Sequence, residues 1–141
     1  MTLDADVIVV GAGPAGSSTA YFLAHAGHHV LLLDRADFPR DKTCGDGLLP
    51  PAIHVLRDME LTPTLDQEGY KVSSISAHYR NKSITMDFLD AYPQLSVPDA
   101  YVLPRIRLDQ LMLERARMAG AHVQTSVQVV RVGIDQKTHS V

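Results

Sequence analysis

The chain has 141 residues, and its 13 Lys and Arg against 16 Asp and Glu give a formal net charge of −3. This length allows one modest domain with a core, and the weakly acidic balance argues against a nucleic-acid binder, which needs a clustered basic face. With 45% hydrophobic and 21% charged residues, the composition is that of a globular protein and excludes a disordered chain.

The start of the chain has the pattern of a strand, a helix and a second strand. Ala5–Val10 and His29–Asp34 are apolar runs without alternation, which is typical of parallel strands covered on both faces. Between them, Pro14 suits a first helical position. The predicted helix extends to about Ala26, where Gly27 ends it. A strand, a helix and a strand in so short a stretch predict a βαβ unit.

The segment after the second strand predicts a loop and then a short helix. Phe38–Pro50 is rich in glycine, proline and charge, which favours a loop. Pro51 suits the start of a helix that reaches about Asp58. Further along, Asp90–Ala100 contains two prolines and predicts an irregular connection.

An antiparallel hairpin is predicted in the middle of the chain. Apolar and polar residues alternate in Lys71–Tyr79 and again in Ile84–Phe88, on either side of a polar turn. From the spacing alone, Tyr79, Met86 and Phe88 form an ordinary hairpin core. The alternative is that these three side chains line a lipid pocket.

The last third of the chain predicts a return to parallel α/β structure. Arg105–Ala119 has apolar residues on neighbouring helical turns, and Gly120 ends this helix. Ala121–Thr125 is predicted as a third parallel strand and Val127–Ile134 as a further strand. Because the chain stops just after a predicted turn, we expect it to be a piece of a longer chain.

Gly11–Gly16 (GAGPAG) matches the dinucleotide-binding pattern G-x-G-x-x-G. The pattern alone is weak, but here a predicted strand precedes it and a predicted helix follows it. Asp34 ends the second strand and lies 18 positions beyond Gly16, close to the ~20 typical of the acid that binds a ribose. The alternative is a tight strand-to-helix turn without a ligand. The coincidence of glycines, acid and spacing favours a dinucleotide.

Each residue of this pattern has a physical reason. Gly11 allows the tight turn, Gly13 lets a diphosphate approach the backbone, and Gly16 lets the helix pack close to the strand. The helix N-terminus offers free N–H groups and a partial positive charge to the diphosphate. An acid at position 34 disfavours a 2′-phosphate, and therefore NADP, at this site, although Arg35 follows it directly.

Three segments carry a more specific pattern: Asp6–Arg35, Phe38–Gly47 (FPRDKTCGDG), and Pro104–Leu111 followed by Gly120–Val123. Together they resemble the N-terminal part of the geranylgeranyl reductase family, a branch of the FAD-dependent oxidoreductases. The first segment is shared by many FAD enzymes. The second is most similar to the branch that contains bacterial menaquinone and prenyl-lipid reductases.

The resemblance implies an α/β fold with a Rossmann-like FAD-binding βαβ unit. Its core would be a three-stranded parallel sheet, with an inserted antiparallel β-hairpin that starts a substrate layer. We expect residues 1–68 to form the βαβ unit and a flavin-side loop, and residues 69–103 to begin a substrate domain. Residues 104–141 would then supply the return helix and strands of the FAD-binding domain.

The resemblance also implies contacts with FAD. The glycine turn matches the diphosphate site and Asp34 the ribose acid. Cys44 belongs to a loop that runs beside the flavin, Arg105 opens the long helix and reaches FAD, and Val129 lies where this family offers backbone polar groups to the adenine. The expected cofactor-binding residues are Gly11, Gly13, Pro14, Ala15, Gly16, Asp34, Arg35, Cys44, Gly45, Gly47, Arg105 and Val129.

Several of these residues have structural interpretations that the sequence leaves open. Arg40 and Lys42 place positive charge that would favour an anionic reduced flavin or a phosphate, or they form a solvated loop. Cys44 either lies against the flavin or is a small packing residue, with catalytic thiol chemistry less favoured. Asp46 is interpreted as a loop-capping residue, with relay of a proton as the less favoured alternative. Arg105 could be a surface residue at the start of the helix. Because an arginine is unfavourable at a positive helix end, its position favours a nearby anion, and therefore the role in binding FAD.

By this resemblance, the enzyme reduces an isolated C=C bond in the prenyl chain of a geranylgeranyl or menaquinone-type lipid. A hydride leaves N5 of reduced FAD for one alkene carbon and a proton reaches the other, with NADPH or another reductant as electron donor. No residue is assigned as the proton donor. Two alternatives stay open: an FAD-dependent aromatic monooxygenase or halogenase on the same scaffold, and a non-catalytic nucleotide-binding fragment.

Cys44 is the only cysteine, which excludes an internal disulfide and a Cys-based zinc site and fits a reducing cytoplasm. The sequence has neither a signal-peptide pattern nor an apolar run of the roughly 20 residues that a membrane span needs. We therefore expect a cytoplasmic protein, with peripheral membrane contact left open. Its partner would be a small-molecule or prenyl-lipid substrate, and we expect no bound metal.

Overall fold

The computed structural model describes residues 5–95 and 100–133. In chain order they form β1 (Val7–Val10), α1 (Pro14–His25), β2 (Val30–Leu33), β3 (Gly47–Leu48), α2 (Pro50–Asp58), α3 (Thr62–Glu68), β4 (Tyr70–Val72), β5 (Ser74–Tyr79), β6 (Lys82–Asp87), α4 (Phe88–Ala91), β7 (Ala100–Val102), α5 (Arg105–Met118) and β8 (His122–Gln124).

The chain folds as two compact units. The first unit consists of Met1–Arg40 and Met112–Val141, and the second unit of the intervening residues 41–111. Helix α5 therefore supplies residues to both. The predicted organisation into residues 1–68, 69–103 and 104–141 stays a prediction.

The first unit contains a three-stranded parallel sheet in the order β1-β2-β8. Val7 lies opposite Val30 in the β1–β2 pair, and Leu31 lies opposite His122 in the β2–β8 pair. Helix α1 connects β1 to β2 and packs on both. The predicted βαβ unit and its third parallel strand are confirmed. The core of this unit comprises Ala12, Ala20, Tyr21, Val30, Leu31, Leu32, Met112, Leu113, Ala116 and Ala121.

Strand β1 is less buried than its sequence predicts. Ile8 and Val10 are 42% and 59% exposed, so the expectation that this strand is covered on both faces is wrong. Within the described residues β1 pairs only with β2, and its alternate side chains face solvent. Strand β2 lies between two neighbours, and Val30–Leu32 are buried as predicted.

Glycine and proline set the ends of the helices of the first unit. Pro14 is the first residue of α1, and Gly27, at φ +92°, follows its end. Gly120, at φ +108°, follows α5 in the same way. These are the start and stop positions that the sequence predicts. No helix within residues 5–95 and 100–133 is both long and apolar enough to cross a membrane.

The second unit is built on an antiparallel sheet in the order β3-β7-β4. Strand β3 lies inside the predicted loop Phe38–Pro50, and β7 begins at Ala100, the last residue of the predicted irregular connection. Both predictions are therefore wrong at these strands. Helix α3 is also absent from the sequence prediction. The core of this unit comprises Leu48, Ile53, Leu56, Met59, Leu61, Leu65, Phe88, Ala100, Tyr101, Leu103, Leu108 and Leu111.

Strands β5 and β6 form the predicted hairpin, with Ile75 opposite Met86 and Tyr79 opposite Lys82. The interpretation of its apolar residues as a hairpin core is wrong. Tyr79 is 71% exposed and Met86 43% exposed, because this two-stranded sheet has no third layer against it within the described residues. Phe88 is buried but begins α4. We call the side of the hairpin that carries its apolar residues the apolar hairpin face; it consists of Ile75, Ala77, Tyr79, Ile84 and Met86, with Lys82 at its end opposite Tyr79.

The strand predicted at Val127–Ile134 is not formed in its described part, since residues 127–133 have neither helix nor strand structure. Ile134 lies outside the described residues. Ser126 has a φ of +59°, which bends the chain out of the line of β8. The Ser126 N–H then donates to the Ala36 carbonyl at 3.2 Å and the Val127 N–H to the Asp34 carbonyl at 2.9 Å. The backbone thus bonds to the loop after β2 instead of to another strand.

Candidate functional site

The turn between β1 and α1 is open on the side of its first glycines. Gly11 has a φ of +101°, a left-handed conformation that favours glycine, and its N–H donates to the Leu33 carbonyl at 2.7 Å. A Cβ added at Gly11 would meet no described atom within 4 Å. Gly13 is the N-cap of α1, and Pro14 and Ala15 follow as its first helical residues. The free N–H groups at this helix end can therefore face a ligand.

Gly16 is needed for the packing of the turn itself. A Cβ at this position would lie 1.7 Å from the carbonyl oxygen of Gly11 and 3.4 Å from Cγ1 of Val9. Only a glycine lets α1 come this close to the end of β1, as the sequence predicts. Ser17, which the sequence analysis does not single out, is fully buried beside it and donates its hydroxyl to the Ala12 carbonyl at 3.1 Å.

Asp34 braces the glycine turn. It is buried, with 8% of its surface exposed, and its Oδ2 accepts a hydrogen bond from the Ala12 N–H at 2.6 Å. Its Oδ1 accepts from the Ala36 N–H at 2.8 Å. Each carboxylate oxygen carries a second lone pair, so one carboxylate can hold the turn and still accept hydroxyl groups. Arg35, the next residue, is exposed.

The segment that contains Val129 leaves β8 beside Asp34. The Asp34 N–H donates to the Gln124 carbonyl at 3.0 Å, and the Asp34 carbonyl accepts from Val127. Thr125 donates its hydroxyl to Asp37 Oδ1 at 2.9 Å. Val129 itself is half-buried, two residues beyond this anchored point. The first unit thus brings the glycine turn, Asp34 and the start of the Val129 segment to the carboxyl ends of its parallel strands.

A second group of predicted residues lies in the second unit, around Arg105. Its guanidinium donates from Nε to Asp109 Oδ1 at 2.8 Å and from Nη2 to Asp109 Oδ2 at 3.0 Å. The Asp109 side chain is 0% exposed. The Arg105 N–H donates to Asp46 Oδ1 at 2.9 Å, so the loop of Cys44 and Gly45 is tied to the start of α5.

This arrangement changes the protonation of two groups. The Arg105 guanidinium hydrogen-bonds to the Cys44 thiol and lowers its pKa, and the N–H groups of Asp46 and Gly45 act in the same direction against a smaller effect of burial. The hydrogen bonds that Arg105 donates to the Asp109 carboxylate raise the pKa of the Arg105 guanidinium. Arg105 is therefore a fixed cation, and Cys44 carries more thiolate than an ordinary cysteine at the same pH.

These contacts bear on the interpretations of Cys44, Asp46 and Arg105 that the sequence leaves open. Cys44 is exposed, so its interpretation as a packing residue is wrong. Asp46 accepts the N–H of Arg105 at the start of α5, a contact that the sequence does not predict. The anion that the position of Arg105 predicts is present within the chain as Asp109, which the sequence analysis did not select. Gly45 and Gly47 are exposed, and a Cβ at Gly45 would meet no described atom within 4 Å.

The sequence matches the family described as FAD binding domain over residues 4–141. The chain belongs to this family. Its cofactor is FAD. This assignment agrees with the glycine turn and the acid at the end of β2, and it confirms the expected α/β fold with a parallel three-stranded sheet.

Known relatives of this FAD-binding domain include a menaquinone reductase of Mycolicibacterium smegmatis, 38% identical over 96% of the chain and 32% of the relative. A flavin-dependent halogenase of Armillaria mellea is 31% identical over 92% of the chain and 26% of the relative. Among solved structures, a myxobacterial chondrochloren halogenase superimposes with a TM-score of 0.81 and 29% identity, over 94% of the chain and 31% of its own. The chain thus spans between a quarter and a third of the length of these proteins.

The residues of the first unit fit FAD. At Gly11 an added Cβ would enter open space, and at Gly13 it would meet a single neighbour, the terminal nitrogen of Arg40 at 3.4 Å. No described side chain therefore fills the turn where the backbone offers its N–H groups, and the one group beside it is a cation. A diphosphate needs such an opening.

Proposed function

We propose that the protein reduces carbon–carbon double bonds in prenyl chains of geranylgeranyl or menaquinone-type lipids. The observation that carries this proposal is the 38% identity to a menaquinone reductase over 96% of the chain. That likeness extends beyond the glycine turn, which many FAD proteins share, into the FPRDKTCGDG loop and the start of α5.

Reduced FAD, when bound, supplies a hydride to one alkene carbon, while a proton reaches the other carbon and NADPH or another donor restores the reduced cofactor. In this proposal Gly11–Gly16 binds the diphosphate through the N–H groups at the start of α1. Asp34 accepts the ribose hydroxyls on the lone pairs that the Ala12 and Ala36 N–H groups leave available. Arg35 and the backbone near Val129 complete the adenosine side.

The second unit supplies the proposed flavin contacts. Gly45 and Gly47 leave an exposed backbone that a flat ring system can approach. Arg105, held by Asp109, presents a permanent positive charge, which stabilises the negative charge of a reduced flavin. Cys44 lies next to that cation, which lowers the pKa of its thiol.

The apolar hairpin face is the proposed start of the lipid-binding surface. Its side chains alternate with polar ones such as Ser83 and Thr85, which lie on the opposite face. We expect Ile84→Asp to raise KM for the prenyl substrate several-fold with little change in kcat, since Ile84 is 73% exposed. Ser83→Asp is the matched control on the polar face and should leave KM unchanged. Equal KM values for both variants would show that the hairpin is not part of the substrate site.

The test of the function combines a spectrum with a product analysis. Flavin absorbance near one equivalent per purified chain would show that the chain retains FAD. The reduced protein is then incubated with a menaquinone or a geranylgeranyl lipid, and the product is analysed by mass spectrometry. The proposal predicts a gain of two hydrogen atoms per reduced double bond. Bound flavin without this product would contradict prenyl reduction and favour the non-catalytic alternative.

The halogenase alternative has specific support, because the fold superimposes on a halogenase at 29% identity and 94% coverage of the chain. The same preparation is therefore supplied with oxygen, halide and aromatic substrates, with NADPH as reductant. Halogenated or hydroxylated product in this assay, together with unchanged lipid in the other, would reverse the assignment.

A further inference from the structure

The β5–β6 hairpin separates polar and apolar side chains on its two faces. On the polar face, the hydroxyl groups of Ser76 and Thr85 hydrogen-bond to each other at 2.7 Å. Within the part of the chain that the structure describes, no other strand pairs with the hairpin. The large side chains of the apolar hairpin face are all between 43% and 73% exposed: Ile75, Tyr79, Ile84 and Met86. An exposed apolar surface of this kind marks a contact with a partner or a membrane.

The tip of the hairpin is basic. Arg80 and Asn81 connect the two strands, and Lys82 follows opposite Tyr79. Both basic side chains are exposed. Residues 70–86 contain three basic residues and neither Asp nor Glu, although acids outnumber bases by 16 to 13 in the whole chain. Positive charge is therefore concentrated at this hairpin against the overall balance, and a partner that complements it is negatively charged.

Tyr79 joins the apolar face to the basic tip. Its ring is exposed, and the guanidinium carbon of Arg80 lies 5.3 Å from the ring centroid. Tyrosine prefers the boundary between hydrocarbon and water, because its ring is apolar and its hydroxyl group is polar. Arginine and lysine at such a boundary lay their carbon chains along apolar surface and keep their charges among the headgroups. The hairpin thus combines the side chains that favour a membrane–water interface.

We propose that the hairpin docks on the surface of a bilayer that contains anionic lipids. The apolar hairpin face enters the region between headgroups and acyl chains, while Arg80 and Lys82 bind the headgroup phosphates. The polar face of Ser76 and Thr85 stays in water. A neutral apolar partner would explain the exposed face but not the basic tip, whereas an anionic bilayer explains both. The proposed function assigns the same hairpin to the lipid substrate, but bilayer binding is measured without any reaction, so either proposal can fail alone.

The test measures binding of the purified chain to sucrose-loaded phosphatidylcholine vesicles, with or without phosphatidylglycerol, by co-sedimentation at several salt concentrations. Arg80→Gln combined with Lys82→Gln should weaken binding to the anionic vesicles roughly 20-fold and remove most of its salt dependence. Ile84→Asp should weaken it roughly 10-fold or more, because an apolar side chain no longer leaves water. The matched controls are Arg117→Gln and Met118→Asp, which change exposed side chains of the same kinds on α5 and should bind as the wild type does.

Three results would overturn the proposal, with the fold of each variant checked by circular dichroism. The first is a folded wild-type chain that does not sediment with anionic vesicles. The second is equal vesicle binding by the wild type and the Arg80→Gln, Lys82→Gln variant. The third is a change in dimerisation, without a change in vesicle binding, in Ile84→Asp, which would assign the face to a second copy of the chain.

A reaction in detergent separates this proposal from the proposed function. Reduction of a detergent-solubilised prenyl lipid by a chain that ignores anionic vesicles would refute docking alone. Vesicle binding with the expected variant effects, but without reduction in detergent, would support docking and contradict the proposed function.

Discussion

The glycine turn makes a sharp prediction, because its glycines serve different purposes. In Gly16→Ala the new Cβ would lie 1.7 Å from the Gly11 carbonyl oxygen, about 1.6 Å closer than the ~3.3 Å at which carbon and oxygen meet without overlap. Both groups belong to the backbone, so no side-chain rotation relieves the overlap. We expect a loss of about 3 kcal/mol or more, a large part of the ~5–15 kcal/mol that stabilises a domain.

Gly13→Ser is the contrasting change at the same turn. Gly13 has a φ of −74° and a ψ of −175° at the N-cap of α1, which is extended backbone that any residue adopts, and serine is a good N-cap residue. An added Cβ meets only the flexible end of Arg40 at 3.4 Å. The folded chain should therefore keep its stability or gain a few tenths of a kcal/mol. Its affinity for FAD should fall at least ~10-fold, because the side chain occupies the path of the diphosphate.

Thermal unfolding and flavin titration separate these two effects. Gly16→Ala should lower the unfolding midpoint by roughly 10 °C for a chain of this size, with FAD absent. Gly13→Ser should leave that midpoint unchanged and alter only the titration. The reasoning fails if Gly16→Ala unfolds within a degree or two of the wild type, or if Gly13→Ser binds FAD as tightly as the wild type.

Three further predictions concern the acids and the cysteine. Asp109→Ala leaves the Arg105 guanidinium without its buried partner and should cost about 3 kcal/mol, measured by urea unfolding. An unchanged midpoint and slope would show that the pair contributes nothing. Asp34→Ala removes two charge-assisted hydrogen bonds that hold the turn and should also cost about 3 kcal/mol, even without FAD; a loss of FAD affinity alone would contradict this. Because the Arg105 guanidinium lowers the pKa of the Cys44 thiol, iodoacetamide should react with Cys44 at lower pH than with the unfolded chain. In Arg105→Gln the reaction profile should move to higher pH, and a profile that stays in place would show that Arg105 does not control the thiol.

The first unit could be predicted from sequence because its signals are local. Pro14 and Gly27 mark the two ends of α1, and the run Val30–Leu33 is apolar enough to be recognised as a central strand. The short antiparallel strands of the second unit lack such signals. Gly47–Leu48 becomes a strand only because it pairs with residues 101–102, more than 50 positions away, and nothing in the loop sequence indicates that pairing.

The difference between local signals and contacts with distant residues also explains the errors at the candidate site. The strand predicted at Val127–Ile134 has the right composition, but the hydrogen bonds that Ser126 and Val127 make to the loop after β2 take the chain elsewhere. Asp109 was overlooked because an acid on a helix usually faces solvent. The available signal was its spacing, since Arg105 and Asp109 stand four positions apart on α5, where opposite charges meet.

The structure also shows which part of the glycine pattern indicates a ligand. The fold alone explains Gly16 and Asp34. A Cβ at Gly16 would overlap a carbonyl oxygen at 1.7 Å, and the Asp34 carboxylate accepts backbone N–H groups at 2.6 and 2.8 Å. A turn that bound nothing would still need both. Gly13 has no such reason, because its backbone conformation suits other residues and a Cβ there would make only an ordinary contact. A glycine that the fold itself does not require indicates that a ligand approaches the backbone at this point.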